Sequence, residues 1–92
     1  MKKIEYSAKA KKDLKRYRHK AHDLEELFKL LQILAFGQNI PATYHPHFLH
    51  GEYEGCMECH IKSDFLLIWI DEDSSTIRVL RLGSHSELFK KY

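Results

Sequence analysis

Long apolar segments, repeats and low-complexity stretches are all missing from this sequence of 92 residues. No apolar run is long enough to span a membrane, and the charged start at residues 1–6 is unlike a signal peptide, so we expect a cytoplasmic protein without membrane contact. Only two cysteines are present, which predicts free thiols in a reducing compartment. The hydrophobic share of 43% is ordinary for a globular protein, and we expect residues 1–92 to form a single small domain.

Positive charge is concentrated at one end of the chain. Residues 1–20 contain nine Lys and Arg against two acids, whereas the remaining residues contain six against eleven. The formal net charge of +2 therefore hides a basic end and an acidic remainder. Such an asymmetry suits a polyanionic partner, although a merely solvated helix face has the same composition.

The first half of the chain predicts a short strand and two helices. Residues 2–6 alternate weakly, and Ser7 is placed to cap a helix that runs to about Lys20. Asp23 and Glu26 have the spacing of a capping box for a second helix over residues 24–36, with Gly37 as its stop. The exposed face of the first helix presents a basic row: Lys9, Lys12, Lys15, Arg16 and Arg18.

The second half predicts a loop and three strands. Pro41 and Pro46 break residues 38–49, and alternation from about residue 52 to 62 predicts a strand with Cys56 and Cys59 on opposite faces. Residues 65–70 form a continuous apolar run, as in a central strand covered on both faces. Residues 76–82 give another strand, followed by a short C-terminal helix or tail. The order predicts an α+β fold, with two helices packed on a mainly antiparallel, four-stranded sheet.

Two metal or cofactor hypotheses are tested by spacing and rejected. Cys56-Met-Glu-Cys59-His60 matches the haem c attachment string, but two cysteines on opposite faces of a strand cannot hold one macrocycle. The same cysteines offer zinc ligands together with His45, His47, His50 and His60, but no second metal-binding pair completes a tetrahedral set. We therefore expect no metal and no cofactor.

Proton-transfer chemistry and nucleic-acid binding both remain open from the residues alone. His60 and Glu58 share one strand face, Asp64 follows at a turn, and His85 comes just after the last strand. Cleavage of RNA by its own 2′-hydroxyl needs a base, an acid and a cation at the phosphate, which histidines together with Lys62 or Arg81 would supply. A module that binds RNA through the basic helix without cutting it is the alternative.

Three motifs together resemble the YafQ branch of the RelE/ParE superfamily of toxins. They are His47-x-Leu49-x-Gly51, then Glu58-Cys-His60-Ile-x-x-Asp64, then Arg81-Leu-Gly-Ser-His85-Ser-x-Leu-Phe89. The resemblance implies a microbial RNase-type fold and the toxin of a type II toxin–antitoxin pair. Such a toxin is a ribosome-dependent endoribonuclease that cuts mRNA in the A site without a metal.

The resemblance also implies site residues and partners. The family's catalytic set falls on His47, His60, Asp64, His85 and Phe89, with His85 as general acid and Phe89 placed to stack on a nucleotide. The basic helix would contact ribosomal RNA, a cognate antitoxin would inhibit the enzyme, and operator DNA would be bound only by the toxin–antitoxin complex. Glu58 stands where the family often has Asp, and Ser63 where Pro is common; His45 and His50 have no family counterpart and are assigned to the loop. A catalytically weak relative that acts mainly by binding its antitoxin on operator DNA is the alternative.

Overall fold

The fold is built on a five-stranded mixed sheet in the order β1-β5-β4-β3-β2, as seen in a computed structural model that describes residues 1–73 and 75–89. In chain order the elements are β1 (Lys3–Tyr6), α1 (Ala8–Tyr17), α2 (Ala21–Ala35), β2 (His47–Phe48), β3 (Met57–Lys62), β4 (Phe65–Asp73), β5 (Thr76–Gly83) and α3 (His85–Leu88). Strands β2 to β5 pair antiparallel, and β1 runs parallel to β5. The predicted α+β class is confirmed, with one more strand than expected.

Strand β4 is central, and both of its faces are buried, as the apolar run predicted. Phe65, Leu67 and Trp69 pack with α1 and α2 in one apolar cluster. Leu66 and Ile68 belong to a second cluster on the other face, which contains Cys56 and Leu88 of α3. The sheet therefore carries the two long helices on one face, while the loop before β3 and helix α3 cover the other.

The start of α1 was predicted correctly, and the start of α2 was not. Ser7 caps α1, because its hydroxyl accepts a hydrogen bond from the Ala10 amide at 3.0 Å. Helix α1 ends at Tyr17 and α2 already begins at Ala21, with Lys20 as an N-cap that makes no side-chain bond. The predicted capping box is wrong because Asp23 lies inside the first turn of α2, where its carboxylate pairs with Lys62.

Three smaller expectations for the second half are also corrected. The segment predicted as loop contains β2, and β3 begins only at Met57 because residues 51–53 form a 3-10 turn. Cys56, placed on a polar strand face, is buried because that face is covered too. Both cysteines are free thiols, as predicted.

The C-terminal helix is present over His85–Leu88, and the rest of the predicted tail, Lys90–Tyr92, lies outside the described residues. Among the described helices, none has the length and apolar character needed to cross a membrane.

Candidate functional site

Four histidines form a row on the sheet face opposite α1 and α2. The ring centroid of His60, on β3, lies 5.8 Å from that of His45, 6.3 Å from that of His47 and 5.6 Å from that of His85. His45 lies in the turn before β2, His47 in β2 and His60 in β3, while His85 is the first residue of α3. The structure thus brings together predicted residues separated by up to 38 positions in the chain.

His47 and Glu58 form a cross-strand pair at one end of this row. They are opposed in the β2–β3 ladder, and His47 Nε2 lies 3.1 Å from Glu58 Oε1. The other ring nitrogen of His47 is 2.8 Å from the carbonyl oxygen of His45, whose left-handed backbone (φ 54°) turns the chain there. Both ring nitrogens of His47 thus face oxygen atoms, so the imidazole is held between Glu58 and the turn at His45.

Glu58 is the buried carboxylate of this site. Its residue is only 5% exposed, and His60 Nε2 lies 4.0 Å from the oxygen that faces His47. Within the described part of the chain, its second oxygen has no hydrogen-bond partner. A buried carboxylate oxygen without a donor is rare in folded proteins, which marks Glu58 as a candidate functional residue.

Asp64 orients His85 at the other end of the row. One carboxylate oxygen of Asp64 accepts hydrogen bonds from the His85 backbone amide at 2.9 Å and from His85 Nδ1 at 2.7 Å. The backbone and side-chain hydrogen bonds from His85 lower the pKa of Asp64 below its usual value. With Nδ1 bound to Asp64, Nε2 is the His85 nitrogen left to act on a substrate.

Phe89 and Tyr53 form an aromatic edge next to His85. Their ring centroids are 6.0 Å apart in a T-shaped arrangement, and Phe89 is half-buried at the end of α3. Because Phe89 is only half-buried, part of its ring remains open to contact with a nucleotide base.

The two predicted supporting cations are engaged elsewhere. Lys62 contacts Asp23 and His22 of α2, although it also borders a groove lined by Tyr44, His45 and His60. Arg81 makes a two-pronged bond to buried Asp13, with its Nε at 2.8 Å and its Nη2 at 3.2 Å from the two carboxylate oxygens.

The basic residues predicted on the first helix lie on its exposed side: Lys9, Lys12, Lys15, Arg16 and the C-cap Arg18. Arg16 differs from the others because it also pairs with Asp13 and Glu87. The basic residues of α1 are thus exposed to a partner, although Arg16 is also held by its ion pairs within the protein.

Sequence reasoning missed His45, Asp13, Tyr17 and Glu87. His45 was assigned to the loop alone, yet its ring contacts His60. Asp13 had a usable signal, because it lies three residues after Ala10 and four before Tyr17, and both are buried. An acid at that spacing on the apolar side of a basic helix predicts a buried ion pair.

Among the residues that the structure describes, no group of three His, Cys, Asp or Glu side chains is placed to hold one metal ion. The histidine nitrogens instead face carboxylate and carbonyl oxygens.

Comparison with known proteins gives a consistent result over nearly the whole chain. A family model described as the YafQ bacterial toxin of type II toxin–antitoxin systems matches residues 2–90. The mRNA interferase toxin YafQ of Escherichia coli K12 is 33% identical over 94% of both chains. A crystal structure of the E. coli DinJ–YafQ complex matches with a TM-score of 0.83 at 30% identity, covering 97% of this chain and 99% of the other. A metal-bound toxin from Helicobacter pylori matches with a TM-score of 0.86 at 41% identity, covering 97% and 100%.

Proposed function

Because the chain belongs to the YafQ family of bacterial toxins of type II toxin–antitoxin systems, we propose that it is an endoribonuclease that cleaves mRNA in the ribosomal A site. We propose further that residues 1–92 form one toxin domain, that it acts in the cytoplasm, and that a cognate antitoxin inhibits it. The E. coli relative in complex with DinJ supports the antitoxin. Operator DNA would be bound through the toxin–antitoxin complex.

The observation that carries the proposal is the pairing of two carboxylates with a row of histidines. Cleavage by the 2′-hydroxyl needs a base to remove its proton and an acid to protonate the leaving 5′-oxygen. His85, held by Asp64 through Nδ1, is the proposed acid acting through Nε2. His47, Glu58 and His60 lie on the other side and are proposed to share the roles of base and of charge stabilisation at the phosphate. Every proton in this scheme moves between the substrate and a side chain of the row.

Two further groups are proposed to hold the substrate. Phe89 would stack on a base, a contact worth roughly 1–3 kcal/mol of RNA binding. Lys62 borders the groove beside His45 and His60, so a phosphate there would compete with Asp23 for its ammonium group. Arg81 is proposed to support the site indirectly and not to contact the substrate, since its guanidinium is bound to Asp13.

The test of this function is mRNA cleavage mapped on translating ribosomes, with and without ribosomes, for the wild type and His85→Ala. We expect cuts in the A-site codon that require ribosomes and that slow by about 10²–10⁴-fold in the variant, the range for loss of a general acid. His50→Ala is the matched control, because His50 is an exposed histidine outside the row, and its activity should match the wild type. Cleavage unaffected by His85→Ala would discard the assigned acid, and a wild type that binds antitoxin but never cleaves would identify a binding module.

The basic row on α1 is proposed to contact ribosomal RNA. A Lys9→Ala, Lys12→Ala, Lys15→Ala variant should fold normally, because all three side chains are exposed. Its ribosome affinity should fall, and the slope of affinity against salt should become shallower by about two to three units, since each phosphate contact contributes about 0.7–0.9. An unchanged salt slope would contradict the assignment.

A further inference from the structure

Helix α3 carries the proposed acid, yet it has only four residues, His85–Leu88. A helix this short is not stable by itself, because nucleation is unfavourable and one turn closes few hydrogen bonds. Its geometry must therefore be imposed from outside. Asp64 holds His85, and the capping box between Ser84 and Glu87 fixes the first turn.

Glu87 also binds α3 to helix α1 across 70 positions of the sequence. One of its carboxylate oxygens accepts hydrogen bonds from the Tyr17 hydroxyl at 2.6 Å and from the Ser84 amide at 2.8 Å. The other lies 3.3 Å from Arg16. A capping carboxylate that serves only its own helix needs neither of the α1 contacts.

Tyr17 is a rigid anchor for this link. It is 7% exposed, and its ring stacks on Phe65 of the central strand with centroids 4.6 Å apart. Burial and the Glu87 carboxylate both raise the pKa of Tyr17, so its hydroxyl remains a hydrogen-bond donor. The position of Glu87 is therefore set by the core of the protein.

Gly83 has no side chain, and this leaves room for the Glu87 carboxylate that connects α3 to α1. A Cβ atom at Gly83 would lie 2.8 Å from the Glu87 oxygen that receives both hydrogen bonds. The last residue of β5 thus permits the carboxylate to lie against the backbone while reaching Tyr17.

We propose that Tyr17 and Glu87 are positioning residues for the cleavage reaction, which fix α3 against α1 and so hold His85 in line with the substrate. This inference rests on the proposed function. Neither residue touches the reacting atoms; both act through His85. A general acid must stay within about 2.6–3.2 Å of its oxygen, and a displacement of about 1 Å costs on the order of 10²-fold in rate.

The experiment measures single-turnover cleavage and KM for Tyr17→Phe, Glu87→Ala and Glu87→Gln, each made in the wild type and in His85→Ala. Tyr17→Phe keeps the stacked ring and removes only the hydroxyl, and we expect its rate to fall about tenfold with KM unchanged. Glu87→Ala should lose more, and Glu87→Gln should recover part of the loss because its amide oxygen still accepts both hydrogen bonds. In the His85→Ala background, Tyr17→Phe should cause no further loss, since residues acting as one unit are not additive.

The control variant is Glu5→Ala, which removes a half-exposed carboxylate paired with Arg78 at 3.6 Å, on β1 rather than on α3. It should cleave like the wild type. If Tyr17→Phe and Glu87→Ala cleave like the wild type while His85→Ala does not, the positioning role is wrong and the proposed acid stands. An equal loss from Tyr17→Phe with and without His85 would also overturn the inference, because the hydroxyl would then act elsewhere.

A second measurement needs no cleavage and tests the inference even where the proposed function fails. Hydrogen exchange of the His85 amide, which donates to Asp64, should accelerate in Tyr17→Phe and Glu87→Ala but not in Glu5→Ala. Unchanged exchange in both variants would show that α3 is held without this link.

Discussion

The buried pair of Asp13 and Arg81 supports a quantitative prediction about stability. The Asp13 carboxylate is 1% exposed and accepts three hydrogen bonds, two from Arg81 and one from the Leu82 amide at 3.1 Å. Replacement by alanine removes all three acceptor contacts at once. It leaves a guanidinium that is only 15% exposed without its carboxylate and a buried amide without an acceptor.

The magnitude follows from the cost of an uncompensated buried charge. Removing one partner of such a pair destabilises a protein by about 3–5 kcal/mol. In a domain of this size, about 3 kcal/mol lowers the melting temperature by roughly 12–24 °C. Asp13→Ala should therefore be measured by urea unfolding at low temperature, where the folded state still predominates.

Two variants show whether the charge or the packing is responsible. Asp13→Leu combined with Arg81→Met replaces the pair with apolar side chains and should lose much less than Asp13→Ala alone, because no charge is then stranded. Asp23→Ala breaks a more exposed pair with Lys62 and should cost no more than about 1 kcal/mol. An Asp13→Ala loss as small as that of Asp23→Ala would refute the reasoning.

Three other predictions concern the site and its surroundings. Gly83→Ala should destabilise the protein by about 1–3 kcal/mol and impair cleavage, because Gly83 has φ 152° and a Cβ would press on Glu87; circular dichroism melting and the cleavage assay check this. The lowered pKa of Asp64 means that its backbone and side-chain hydrogen bonds from His85 stabilise the fold above the carboxyl's usual pKa of about 3.9 and that this contribution is lost as pH falls through the lowered value. Asp64→Asn should therefore show a weaker acid dependence of stability than the wild type, and equal acid dependence would contradict the assignment. Burial, and then the charge of Glu58, raises the pKa of Cys59 to about 12, so its thiol should resist alkylation at pH 8 until the protein unfolds, as mass spectrometry would show.

Local rules of sequence predicted most of the elements but not the contacts between distant ones. Ser7 and Gly37 were placed correctly because a cap depends on its nearest neighbours. The start of α2 was misplaced because Asp23 pairs with Lys62, 39 positions away, rather than capping its own helix. Strand β2 was missed because two residues directly after Pro46 carry no periodicity of their own.

The same distinction applies to the site. The motifs named His47, His60, Asp64 and His85, and the structure brings all four to one face, while their catalytic roles remain predictions. Arg81 was one of two candidate cations for the phosphate, and the sequence did not show that it binds Asp13, 68 positions earlier. No local pattern could show that, since the pairing depends on the docking of α1 on β5.

The parallel pairing of β1 with β5 has a consequence for how the protein is made. Strand β1 has β5 as its neighbour in the sheet, and Lys3 is aligned with Thr76. Strand β1 must therefore stay unpaired until β5 has been synthesised, and such distant contacts slow folding. His85 lies two residues after the end of β5, so the row of histidines is completed at the same stage. A protein of this topology therefore cannot complete this face before β5 and α3 have been synthesised.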